Sequence, residues 1–331
     1  MINVVAIATQ FRNELLVMNA RAMDDLTNRW RMVEAALKAE IEALAFQMSQ
    51  AKAEGQTVSE SQLYANDRYH ALLVQLQREL AKYNADAAAL IQAQQLSFAS
   101  MGAEQATAWL RYSGAIQGSF YQLGSGAFEN IAALARAGNP LADLLSAAYP
   151  ATAQAITDEL LKGLALGKNP RTTARNMVND GLTTSLNHAL LITRDQSVRA
   201  ARLATLQQYQ TSGLTTAYMR IAARQRRTCL ACLALDGTVY PTNVMMPLHP
   251  QCRCAILPIL RNRAPLAMST GKEWFLEQSA KTQRDMLGPG RYGLWKQGAF
   301  QFEDLATVHS GGVWGANAQV TTVAALQRIG Q

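Results

Sequence analysis

Proline is missing from the first 139 residues of this 331-residue chain, and the first to occur is Pro140. Proline breaks helix interiors, and the same stretch is rich in Ala, Leu, Gln, Glu and Lys, so long helices are expected there. With no run of about 18 uncharged apolar residues, no membrane-spanning helix is expected. Met1 to Arg12 lacks the apolar core and cleavage site of a signal peptide, so export by the standard route is not expected either. Glutamate is absent between Glu159 and Glu273, which removes the proton shuttle that a zinc deaminase requires. No Ser/His/Asp order, phosphate-binding glycine loop or internal repeat stands out. Cysteine is scarce, and all four residues lie between positions 229 and 254. In a large chain without a secretion signal, that grouping points to a metal site over a disulfide framework.

The remaining composition is that of a folded protein. At 49% hydrophobic and 17% charged residues, general disorder is excluded, and the length suits two or three domains of roughly 100 to 200 residues each. Leu26, Trp30, Val33, Leu37, Ile41, Leu44 and Met48 recur at spacings of three and four, and a second stripe runs through Tyr69, Leu73, Leu76, Leu80, Tyr83, Ala87 and Leu90. Between them Gly55 can end one helix and Thr57 can cap the next, with Glu60 at the capping-box spacing. These signals predict a long antiparallel helical hairpin. Its stripes are packing seams, or one of them continues as a docking face for a larger assembly. Glycines from Gly114 to Gly126, then helix starts at Asn139-Pro140, Tyr149-Pro150 and Asn169-Pro170, predict a bundle of short helices. Leu186, Leu190, Leu191, Val198, Leu203 and Leu206 predict another helix running to Ser212-Gly213. His188 within it reads as a packing or surface residue, since no second ligand sits near it in sequence.

The formal net charge is +7, and its placement is uneven. From Arg194 to Arg263 there are ten arginines, only Asp195 and Asp236 as acids, and no lysine, giving +8, so the rest of the chain sums to −1. Guanidinium forks match phosphate or carboxylate oxygens bidentately, as lysine cannot. Three readings stand: nucleic-acid phosphate contact, salt bridges to another protein, or a solvated face. For the first, the expected contacts are Arg220, Arg224, Arg226, Arg227, Arg253, Arg261 and Arg263.

Inside the same segment lie Cys229 and Cys232, then sixteen residues, then His249, Cys252 and Cys254. Two donors at i and i+3 in a tight turn share a side, and tetrahedral zinc wants four nitrogen or sulfur donors. Five candidates compete for four places. His249-Pro-Gln-Cys252 has the shape of a second knuckle, which favours Cys229, Cys232, His249 and Cys252 for a structural zinc. Cys254, on the same face of an extended segment as Cys252, can replace either partner of the second pair. Reduced thiols or disulfides are the competing states. A redox dithiol would need a thioredoxin-like strand and helix, which Arg226-Arg227-Thr228 and the following turn do not resemble. Asp236-Gly237 to Pro241 reads as a turn feeding a short strand, as in small zinc-ribbon-like modules.

Ile192-Thr-Arg-Asp-Gln-Ser-Val-Arg-Ala200, the helix to Tyr209 and Gly213, Arg227-Thr-Cys-Leu-Ala-Cys232, Leu235-Asp-Gly237 and Leu248-His-Pro-Gln-Cys-Arg-Cys254 follow in order. This series resembles the phage Mu F-like minor head proteins, also called phage head morphogenesis proteins. Gln283 to Gly298 looks like the segment that follows the cysteine motif in that family, so the resemblance covers roughly Gly163 to Asp304. Where members often carry an acid ahead of Arg-Thr-Cys and a Thr-Glu pair after Ile-Ala-Arg, this chain has Gln225-Arg226 and Asp195-Gln196. The resemblance implies a minor protein inside the head of a tailed phage, present in the host cytoplasm during assembly. Its implied partners are the portal or major capsid protein and packaged double-stranded DNA.

The expected architecture is mainly α: a long hairpin over 1–112, a helical bundle over 113–190, a small α+β zinc-ribbon-like, arginine-rich module over 191–263, and a helical and irregular segment over 264–331. No enzyme activity is expected and no catalytic residue is assigned. The alternative is a phage-borne enzyme or effector acting on nucleotide or protein. The N-terminal helices are also where a homo-oligomer would form.

Overall fold

The computed structural model describes residues 4–113, 115, 123, 125–135, 141–261, 268–310 and 316–329. Arg263 and the helix start expected at Asn139-Pro140 lie outside the described residues, as does most of the glycine-bearing stretch from Gly114 to Gly126. The chain is mainly α. Helices α1 (Val4–Ala53), α2 (Glu60–Tyr64), α3 (Asp67–Tyr112), α4 (Ser125–Ala135), α5 (Leu141–Ser146), α6 (Tyr149–Ala165) and α7 (Pro170–Asn176) precede a π-helical turn (Met177–Leu182) that runs into α8 (Thr183–Ser212). Then come β1 (Thr215–Ile221), α9 (Leu230–Ala234), β2 (Val239–Pro241), β3 (Ala255–Leu260), α10 (Gly271–Leu276) and α11 (Ala280–Lys296). A 3₁₀ turn (Phe302–Leu305), β4 (Ala306–His309), β5 (Asn317–Val320) and α12 (Val323–Ile329) complete it. No described helix is long and apolar enough to cross a membrane.

These elements form two compact units, each assembled from separated stretches of chain: 19–94 with 139–194, and 1–18 with 95–138 and 195–331.

In the first of these units, the expected seam of α1 is buried from Leu26 through Met48. Its partner stripe on α3 runs through Tyr69, Leu72, Leu76, Leu80, Tyr83, Ala87 and Ile91. Leu73 and Leu90, expected in that stripe, are only half-buried; spacings of 3, 4, 4, 3, 4 and 4 keep one face of a 3.6-residue helix better. Trp30 meets Tyr83 edge-on at 4.8 Å, and Gln75 Nε2 donates to the Ala36 carbonyl at 2.9 Å, which fixes the antiparallel register. Gly55, at φ +83°, closes α1 as its sequence suggests, with Gln56 N bonding Ala51 O and Gly55 N bonding Lys52 O. The next cap is not Thr57. Ser59 caps α2 with Gln62 in a reciprocal box, and Asn66 Oδ1 accepts from Tyr69 N at 3.1 Å to start α3. Pro150 and Asn169-Pro170 open α6 and α7 as expected. His188 is a packing residue, its Nε2 lying 2.7 Å from the Leu144 carbonyl.

The other unit carries the site. Its sheet has the order β2-β1-β3, all antiparallel, with Met219 opposite Val239 and Arg220 opposite Ile256. Tyr218, Leu230, Leu233, Phe275 and Phe302 share a core with Cys232, Cys252 and Cys254. The last part of α3 crosses α8 closely at Gly102, where Thr205 Oγ1 donates to the Gly102 carbonyl at 2.9 Å. The β4–β5 hairpin is tied back through Leu248, whose amide donates to Ala316 O at 3.2 Å and whose carbonyl accepts from Ala318 N at 2.8 Å.

Candidate metal centre

Local geometry gathers the five expected donors. Cys229 is the cap residue just before α9, and Cys232 lies three residues on, inside its first turn, so both thiols reach the same side. His249-Pro250-Gln251-Cys252 is a tight turn closed by Cys252 N bonding His249 O at 2.9 Å, with Gln251 at φ +69°. Proline at its second position and positive φ at its third are the marks of a type II turn. Cys254 follows at the entrance to β3. The result is two overlapping triads, Cys229–Cys232–His249 and Cys232–Cys252–Cys254, with the donor atoms of each within 4.8 Å of one another and Cys232 common to both. The second triad is wholly buried.

The donor set fits a metal ion. His249 Nδ1 lies 2.8 Å from the Pro250 carbonyl, which leaves Nε2 turned to the sulfurs, 3.0 Å from Cys232 Sγ. A carbonyl on the second ring nitrogen is the usual way a ligand histidine is oriented. The hydrogen bond from Cys232 holds the Cys229 thiol down at about 4 against the opposing effect of burial. Cys252 is likewise held well below the usual thiol range, by hydrogen bonds from Cys232 and Cys254 and by the charges of Arg202 and Arg220. Cys232, the shared donor, is pushed up, first by its bond to Cys229, and Cys254 is pushed up to about 12, the lowering by its bond to Cys232 being outweighed by its bond to Cys252 and by burial, so a metal ion would have to displace the protons of these two. Burial works against the charge of His249, and the Cys229 hydrogen bond and nearby thiolates outweigh it. Thiolates are the form in which cysteine binds metal.

The arginines divide sharply. Arg220, expected to meet a polyanion, is wholly buried and bonded to cysteine sulfurs, so it is not a surface contact. Arg199 and Arg202 are buried as well. Arg224 is pinned by Asp236 at 2.6 Å, and Arg226 pairs with Asp285 at 2.8 Å on the surface. Arg227, Arg253 and Arg261 are exposed. A cleft of about 390 Å³, whose walls include Arg227, Thr228, Cys229, His249, Gln251 and Arg253, opens over the first triad.

Neither acid of the segment is at liberty for chemistry. Asp236 has a fully buried side chain that also accepts the Ala222 amide at 2.7 Å, tying the end of β1 to the turn before β2. Asp195 is buried against Arg199 at 3.5 Å and Gln196 at 3.2 Å. Burial pushes both carboxyls up, against the arginines beside them. The anchoring roles of Arg202, Arg220 and Asp236 are not evident from the sequence alone. The available signal is Arg220 standing two residues from Tyr218 on one face of an apolar strand.

A mainly α protein with a small sheet and a partly buried cysteine–histidine centre able to hold a metal ion is the class these features define. Residues 154–257 match the profile of the family described as Phage Mu protein F like protein, which supports the resemblance carried by the cysteine motifs. The matched stretch takes in all five donors and ends before the Gln283–Gly298 segment. No curated protein and no solved structure matches the chain.

Proposed function

We propose that this protein is a structural, non-catalytic minor head protein of a tailed phage, lying inside the capsid and present in the host cytoplasm during assembly. The observation that carries the reading is that the family match at 154–257 spans the very residues that build the centre and the arginine-rimmed cleft above it. Zinc holds the module together, with its four ligands drawn from Cys229, Cys232, His249, Cys252 and Cys254. When bound it supplies structure only. Arg227, Arg253 and Arg261 meet the phosphates of packaged double-stranded DNA. The N-terminal helices dock on the portal or the shell protein, or on further copies of this chain.

Titrating DNA binding of the full chain against salt tests this. Arg227→Gln with Arg253→Gln should flatten the log–log salt dependence by roughly 0.9 for each phosphate no longer neutralised, without regard to DNA sequence. Arg224→Gln, whose side chain is already held by Asp236, should change the slope little. Unchanged DNA binding with failed incorporation into heads would assign the exposed arginines to a protein partner. An intact slope with normal incorporation would overturn both roles.

A further inference from the structure

Arg220 sits in the interior with no carboxylate within salt-bridge distance among the described residues. Three of its side-chain contacts are to sulfur. Nε lies 3.3 Å from Cys254 Sγ, and Nη2 lies 3.2 Å from Cys232 Sγ and 3.7 Å from Cys252 Sγ. Nη1 donates to the Pro247 carbonyl at 2.6 Å, which pins the loop carrying the His249–Cys252 turn to β1. Arg202 approaches from α8, its Nη2 2.7 Å from the Cys254 carbonyl, 3.0 Å from that of Cys252 and 3.8 Å from Cys252 Sγ.

A guanidinium cannot shed its proton inside a protein, and a buried charge without a counter-charge is costly. Neutral thiols are weak acceptors and cannot balance it. Thiols held by a metal ion are thiolates, and such a centre would set the negative charge that matches Arg220 on the sulfurs it touches, which are all three of the buried triad and neither Cys229 nor His249.

We infer that Arg220 is the counter-cation of a three-thiolate metal centre formed by Cys232, Cys252 and Cys254. Cys254 is then a ligand in its own right, not a substitute for a neighbour, and the fourth place falls to His249 or Cys229. With His249 in the fourth place, three thiolates on a divalent ion leave one negative charge, which the Arg220 guanidinium neutralises; with Cys229 there the charge is −2, and Arg202 beside Cys252 adds a second positive charge. The inference rests on the reading that the cluster holds zinc, and deepens it by naming the donors and the residue that sets their charge.

The test uses the full chain loaded with Co²⁺ alone, whose thiolate-to-cobalt absorption reports the number of sulfur ligands, and with Zn²⁺ in competition with a chromogenic chelator. Cys254→Ser should lower the cobalt absorption and weaken zinc as much as Cys252→Ser does. Arg220→Met should keep the three-thiolate absorption but weaken zinc about 10- to 100-fold, the usual effect of losing an outer-shell partner. Arg220→Lys, which keeps the charge without the fork, should recover part of that loss. If Arg220→Met folds only with zinc present, the zinc concentration at its folding midpoint should rise by the same factor.

Undiminished absorption and affinity in Cys254→Ser would overturn the triad. Wild-type zinc affinity in Arg220→Met, or failure of that variant to fold at any zinc concentration, would overturn the counter-cation role. A wild-type chain that takes up neither ion would overturn the zinc reading itself.

Discussion

Replacing Gly102 by alanine should destabilise the protein, although alanine is the better helix former. An added Cβ would stand 2.1 Å from the Ala201 carbonyl oxygen and 2.8 Å from its carbon, where ordinary contact begins at 3.4 Å. The two helices must therefore part locally by about 1.3 Å, the difference between 3.4 and 2.1 Å. Backbone atoms cannot rotate out of the way, and overpacking of this kind costs about 1–3 kcal/mol. Separation also stretches the bond from Thr205 to the Gly102 carbonyl, worth about 0.5–1.5 kcal/mol, while helix propensity returns about 1 kcal/mol. The net expectation is a loss of about 0.5–3.5 kcal/mol. Gly293, exposed on α11 with nothing within 4 Å of a new Cβ, is the control: Gly293→Ala should gain up to about 1 kcal/mol. Urea unfolding of the full chain, followed by circular dichroism and compared at equal m, reads both. Gly102→Ala as stable as Gly293→Ala would refute the close helix crossing.

Leu37→Ala, at a site with no exposed surface, should cost about 2–5 kcal/mol, and Leu37→Asp should cost more by burying an unpaired charge; urea midpoints check both. Asp236→Ala leaves Arg224 and the Ala222 amide without their acceptor and should cost about 3–5 kcal/mol, whereas Asp236→Asn, which can still accept from Ala222, should cost less, as urea midpoints of the two variants will read. The protein should lose stability in alkali. Burial, opposed by the Thr157 hydrogen bond, pushes the Tyr69 hydroxyl up to about 12, while an unfolded tyrosine ionises near 10. The stability this tyrosine contributes is therefore intact below about 10 and falls as pH rises toward 12. Tyr69→Phe should shallow that fall in melting temperature measured across this range, and an equally steep fall in the variant would count against it.

The α1 seam was legible because long helices repeat their apolar face many times, so Leu26 to Met48 could be picked out by spacing alone. On α3 two neighbouring leucines, Leu72 and Leu73, both satisfied a loose period, and only packing against α1 chose between them. The Ser59–Gln62 cap lay beside an equally spaced Thr57–Glu60 pair, and local sequence offers nothing to rank the two. The cysteine and histidine spacing brought the five donors forward because knuckles are local structures. The arginines were another matter. Sequence gives the charge of Arg220 but not its burial, and its partners come from the far sides of α9 and of the loop before β3. Solvated and buried arginines look the same until the strand that carries them is placed.

The division of the chain into interleaved units limits how it can be taken apart. The family segment contributes 154–194 to one unit and 195–257 to the other. Excised, the first piece would lose Tyr69, whose hydroxyl bonds Thr157 at 2.7 Å, and the second would lose the helix that Ala201 meets at Gly102. Each would turn a face built for burial toward water. The matched stretch is thus a region of sequence similarity without being a cassette, and grafting it onto another scaffold, or expressing it as a minimal fragment, would yield an aggregating peptide, not a smaller working part.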